Sequence, residues 1–149
     1  MRFPRIVRFD AAERQAFPTM AEPGEWAISG AFVFSVREPG MLIGKDLAAF
    51  RSGFLGVGSF GWESRVEVAE ITDAEYRRVV ETLAQHLLEH FDAPDLAAAS
   101  AFAEEECSFA QGLCDRAVGT LLAVERSFGA QGIAERFRIV ERESAPMSR

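Results

Sequence analysis

Lysine is nearly missing from this 149-residue chain: Lys45 stands alone, and the other basic residues are arginines scattered along the sequence. Sixteen basic residues face 23 acidic ones, a net charge of −7. No Lys/Arg cluster offsets that field, which repels nucleic-acid phosphates and anionic lipid surfaces, so neither is expected as a partner. Long apolar runs are lacking too. The longest uncharged stretches, 26–36 and 52–62, have 11 residues each, whereas a membrane helix needs about 20. Arg2, Arg5 and Arg8 have no apolar segment behind them, which argues against a secretory signal. Cysteine is scarce: Cys107 and Cys114 are seven apart on one predicted helix. They would lie about 10 Å apart along its axis, too far for a mutual disulfide. Two unpaired thiols suit a reducing compartment, and the cytoplasm is expected.

What is present is core. Hydrophobic residues make up 48% of the chain, with 13 Phe and 2 Trp, which excludes general disorder. The length fits one domain, expected over 1–142 with a flexible C-terminal tail at 143–149. A first strand is predicted over 3–9. A second spans 26–36, where Trp26, Ile28, Phe32 and Phe34 alternate with smaller residues. A short helix over 45–55 carries Leu47, Phe50 and Phe54 on one stripe, and a third strand runs over 62–71. Thr72 and Glu75 form a capping box, and behind it Tyr76, Val79, Val80, Leu83, Leu87 and Phe91 keep helical spacing. The segment 92–95 stops that helix and caps the next, with Pro94 in its first turn, and the third helix runs to about Asp115. Two strands over 120–128 and 133–141 form a β-hairpin, with Leu122, Val124 and Phe128 on one face and Ile133, Phe137 and Ile139 on another. The order β-β-α-β-α-α-β-β implies an α+β domain: a mainly antiparallel five-stranded sheet with three helices covering one face.

Four constellations can carry chemistry. Gly56-Val-Gly58-Ser-Phe60-Gly61 has the G-x-G-x-x-G spacing of dinucleotide loops, in which glycine lets pyrophosphate approach the backbone at a helix start. Here a helix precedes the loop and a strand follows, so it reads as a helix end or a packing contact. Phe54, Phe60 and Trp62 crowd around those glycines, as suits a ligand mouth or a subunit contact. His86 and His90 have metal-gripping spacing, but Leu87 stands where a zinc protease needs Glu. No bound metal and no cofactor are expected. Cys107 and Cys114 read as small buried thiols, and G-x-S-x-G does not occur. The fourth constellation is a pair of charges inside apolar stripes, Arg51 on the first helix and Glu106 on the third. An isolated buried charge is too costly to persist, so the two are expected to face each other as an ion pair or to serve a ligand in a shared pocket.

The segments AEPGEWAISGAF (21–32), FRSGFLGVGSFGW (50–62) and AEEEC (103–107) resemble a bacterial family of unknown function, with a likeness running from the first strand to about Val124. The resemblance implies a stand-alone cytoplasmic protein and brings no activity, cofactor or catalytic residue with it. Two functions follow from the residues. The first is a non-enzymatic binding or accessory protein, contacting a protein partner or small ligand through the Gly-aromatic loop and expected as a homodimer whose interface includes 54–62 or an outer sheet edge. The second is a small-molecule enzyme with Arg51, Glu106 and the two histidines in a pocket under that loop.

Overall fold

The computed structural model describes residues 1–8, 16–35 and 37–141. Its elements follow in the order β1 (Arg2–Ile6), β2 (Ala27–Ile28), α1 (Gly44–Ser52), β3 (Phe54–Gly56), β4 (Trp62–Glu63), β5 (Val66–Glu70), α2 (Asp73–His90), α3 (Leu96–Leu113), β6 (Leu121–Gly129) and β7 (Gly132–Val140). The class is α+β, but the strands divide into two antiparallel sheets, β1-β5-β6-β7 and β2-β3-β4, not one sheet of five. The expected tail at 143–149 lies outside the described residues.

Two local features split the expected sheet. Gly30 adopts φ 81° and turns the chain after β2 into a 3-10 turn over Ala31–Phe34, so the alternation over 26–36 is strand only at its start. A side chain at Gly30 would place its Cβ 2.6 Å from Leu55 Cβ, so glycine is required there both for the φ and for the space. The expected strand over 62–71 breaks at Ser64 and Arg65, with Trp62–Glu63 in the small sheet and Val66–Glu70 in the large one.

The helices form as their caps dictate. Thr72 Oγ1 accepts from Glu75 N at 3.0 Å while Glu75 Oε1 accepts from Thr72 N at 2.9 Å, the reciprocal box that opens α2. Asp95 caps α3 by accepting from Ala98 N at 2.8 Å, which puts Pro94 ahead of the cap instead of in the first turn. Helix α1 ends at Ser52, and Phe54 belongs to β3.

Apolar packing joins these parts in two clusters. Phe50 of α1, Leu55 and Trp62 of the small sheet, Leu83 and Leu87 of α2 and Ala103 of α3 share the larger one. Ile6, Val66, Val68, Leu122 and Val124 of the large sheet pack with Phe54 and with Cys114 beyond α3 in the other. Full burial of a Leu or Phe side chain stabilises by roughly 1.5–3 kcal/mol, and the two clusters between them draw on both sheets and all three helices.

Candidate functional site: an aromatic cleft at Glu106

The β6–β7 hairpin builds one wall. Its register sets Val124 opposite Phe137, Arg126 opposite Glu135 and Phe128 opposite Ile133, all on one face. The side chain of Arg126 is fully buried, and its guanidinium is saturated. Nε donates to Glu135 Oε2 at 2.8 Å. Nη1 donates to the carbonyls of Phe50 at 3.0 Å and Gly53 at 2.7 Å, with Ala49 at 3.4 Å. Nη2 donates to the Ser29 carbonyl and, at 3.4 Å, to the Ser29 hydroxyl oxygen, whose own proton is donated to Glu135. A cation on the terminal carbonyls of α1 is favoured by both hydrogen bonding and the helix dipole. Arg126 thus ties the hairpin to α1 and to the end of β2, and has no donor left for a ligand.

Glu106 of α3 lies close to this clamp and is half-buried. Among the described residues none donates a hydrogen bond to its carboxyl. Burial, followed by the negative charge of Glu135 and then of Glu105, pushes the carboxyl up to about 7, and Arg126 pulls it partly back. Glu106 lines a cleft of about 630 Å³ together with Phe34, Phe102, Phe128 and Ile133. Phe128 stacks flat on Phe50 with ring centroids 4.2 Å apart, which ties this wall to the residue whose carbonyl Arg126 holds. A second cleft of about 600 Å³, bordered by Leu87, His90, Phe91 and Ala99, shares Phe32, Ser35 and Phe102 with the first. Phe32 divides the two, edge-on to Phe91 at 5.4 Å and to Phe102 at 5.3 Å.

The other expected site residues fall elsewhere. Arg51 is exposed on the last turn of α1 and does not face Glu106. The stripe that enclosed it was drawn through Phe54, and with the helix ending at Ser52 that anchor disappears. Phe54, Gly56 and Trp62 are buried, so the apolar side chains read as a mouth or interface are mostly core. Gly58 is exposed, but the loop's amides are already taken. Glu25 Oε1 accepts from Gly58 N at 2.9 Å and Ser59 N at 3.0 Å, and Oε2 accepts from Ser59 Oγ at 2.6 Å and Glu22 N at 2.6 Å. The G-x-G-x-x-G loop therefore cradles a carboxylate of its own chain where a dinucleotide loop would cradle phosphate. A Cβ on Gly56 would sit 2.4 Å from that carboxyl carbon, which explains the glycine.

Phe60 stacks on His86 at 4.2 Å, and His90 is exposed beside Glu89. Among the described residues no three His, Cys, Asp or Glu side chains are grouped to hold a metal ion. Cys107 and Cys114 are free and buried, their thiols pushed up to about 12 chiefly by burial, so neither is a thiolate nucleophile at neutral pH. No helix among the described residues is long and apolar enough to cross a membrane.

A model of a family of unknown function, DUF6505, matches residues 1–149. The chain belongs to the DUF6505 family. The match continues past Val124 through the hairpin that carries Arg126 and Glu135. No curated protein and no solved structure matches the chain. In this DUF6505 member, the residues that sequence reasoning missed are strand charges. Arg126 interrupts Leu122, Val124 and Phe128 on the face that alternation assigns to the core, and Glu135 interrupts Ile133 and Phe137 in the same way. The test that singled out Arg51 and Glu106 on helices finds both when applied with a period of two.

Proposed function

We propose that the chain is a non-enzymatic binding protein that takes up a small, largely apolar molecule in the cleft at Glu106. The observation that carries this reading is an open, aromatic-walled cleft holding one half-buried carboxyl with no hydrogen-bond donor among the described residues. Ligand sites commonly pair mostly apolar walls with a few placed polar groups, and a polar group left without a partner away from water is costly. The Gly-aromatic loop does not line this cleft: Phe60 is braced by His86 and approaches Phe91, which borders the neighbouring cleft. The test is a titration with 1-octanol followed by NMR. Shifts concentrated at the Ile133 methyls and the Ala31 and Phe102 amides are expected, and their absence would overturn the reading.

One observation favours an enzyme instead. A carboxyl near 7 is suited to general acid–base work. The arginine acting on it is Arg126 and not the expected Arg51, and its donors are all engaged, so substrate anchoring by a buried guanidinium has no support.

The homodimer belongs to the binding reading, with an outer sheet edge as its interface in preference to the segment 54–62, most of which is buried. Strand β7 ends the large sheet over nine residues, and its outer edge has no neighbouring strand among the described residues. Arg136 and Arg138 on that strand are each paired with Glu125 of β6, at 3.6 and 3.8 Å, so the edge is not guarded by unpaired charge. A single 16.4 kDa species in sedimentation at both low and high salt would remove the dimer.

A further inference from the structure

We propose that Glu106 makes the cleft selective for aliphatic amines, with the ammonium group on the Glu106 carboxylate and the apolar tail between Phe34, Phe102 and Phe128. The inference rests on the binding function proposed above and adds the chemical class of the ligand.

Charge decides between candidate head groups. An anionic head would need a buried cation with donors to spare. Arg126 has none, and Arg37 at the rim is already paired with Asp46 at 3.5 Å, both being substantially exposed. Glu135 on β7 and Glu105 on α3 add negative potential at Glu106, against which only Arg126 on β6 acts. A ligand carboxylate entering there meets like charge, whereas an ammonium group meets opposite charge and receives the hydrogen-bond acceptor that no described residue uses. The ring faces contribute in the same sense, since a cation close to Phe is attracted by its π-electrons. A neutral alcohol gains the apolar contacts but no ion pair. The tail has room, because the cleft of about 630 Å³ is within the usual range for small-molecule sites.

Protonation gives the inference a signature. The free carboxyl, pushed up to about 7, is partly protonated at neutral pH. An ammonium ligand requires it ionised, so binding near neutrality releases a fraction of a proton. Amine affinity should fall roughly tenfold from pH 7.5 to pH 6, since each step below the carboxyl's value adds the work of deprotonating it.

The experiment is calorimetric titration of the full chain and of Glu106→Gln with n-octylamine, 1-octanol and sodium octanoate, at pH 7.5 and pH 6. For the native chain, octylamine is expected to bind at least tenfold more tightly than octanol at pH 7.5. Octanoate should bind most weakly, and octylamine's advantage should shrink at pH 6. In Glu106→Gln, most of octylamine's advantage over octanol should be lost at both pH values. Octanol binding with no preference for octylamine, or a preference undiminished in Glu106→Gln, overturns amine selectivity at Glu106 and leaves the cleft's binding role standing. Failure of both octanol and octylamine to bind overturns the two together. Should Glu106→Gln not fold, the pH dependence of octylamine against octanol in the native chain decides: a constant ratio between pH 6 and pH 7.5 overturns the proposal.

Discussion

Arg126 and Glu135 are cross-strand partners on the inner face of the β6–β7 hairpin, joined at 2.8 Å, and the guanidinium of Arg126 also holds the last carbonyls of α1. A paired buried charge need not stabilise a fold relative to apolar replacements of the same shape, but removing one partner leaves the other uncompensated. Arg126→Met should therefore cost about 3–5 kcal/mol, read from urea unfolding. The double variant Arg126→Met/Glu135→Leu should recover only part of that loss, because the Phe50, Gly53 and Ser29 carbonyls still lack their donor. Complete recovery would reduce the arrangement to a simple ion pair.

The pH dependence of stability follows from Glu106. Its folded-state value of about 7 lies above the ordinary 4.5, so between those values the native state binds more protons than the unfolded chain. Stability from this group is then complete below about pH 4.5, declines as pH rises, and is lost above about pH 7. Glu106→Gln should remove that decline and leave the variant about 1–2 kcal/mol more stable than the native chain at pH 8, after discounting for solvent screening. Parallel melting-temperature profiles for the two proteins from pH 5 to pH 8 would contradict the assignment.

Glu25 is expected to be the residue that orders the glycine loop. Glu25→Ala removes acceptors from Gly58 N, Ser59 N and the Ser59 hydroxyl at once. Because these groups lie near the surface and regain water, the loss should be modest, about 1–3 kcal/mol. Amide exchange at Gly58 and Ser59 should accelerate far more than exchange in the centre of α2. Unchanged protection at the two amides would mean that the loop keeps its shape without the carboxylate.

What the sequence made legible follows from the range of the forces involved. Helix α2 was readable because its capping box and its 3.6-residue stripe are local, each residue's partner lying within a turn or two. The β6–β7 hairpin was readable for the same reason, with its turn and alternation lying within one segment. The division into two sheets was not, since it depends on Gly30 packing against Leu55 and Trp62 from a distant segment. At the site, Glu106 stood out because a charge in an apolar helical stripe needs a reason, but its neighbour was misassigned. Arg51 falls inside an apolar stripe only if Phe54 is helical, which it is not, and Arg126 breaks a strand's period of two where Glu106 breaks a helix's 3.6. Glu25 gave little local signal: apart from Glu22 N, three residues away, its partners lie more than thirty residues off in sequence.

The two histidines provide the last prediction. Spacing alone allowed His86 and His90 to grip a metal, but their rings are 5.9 Å apart and His86 is stacked on Phe60 at 4.2 Å. Ligation by His86 would require the ring to leave that stack, and with no grouped third ligand among the described residues the bond would have little to replace it. Elemental analysis of untagged protein should accordingly find zinc, manganese and iron well below stoichiometric levels. Added zinc should not raise the melting temperature, since a ligand bound only to the native state would stabilise it by mass action. Phe60→Ala separates packing from ligation. It should lower stability by about 3 kcal/mol or less, given that Phe60 is only half-buried, and should leave zinc affinity unchanged. Stoichiometric metal in the native protein, lost in His86→Ala and His90→Ala alike, would show instead that the stack opens to form a site.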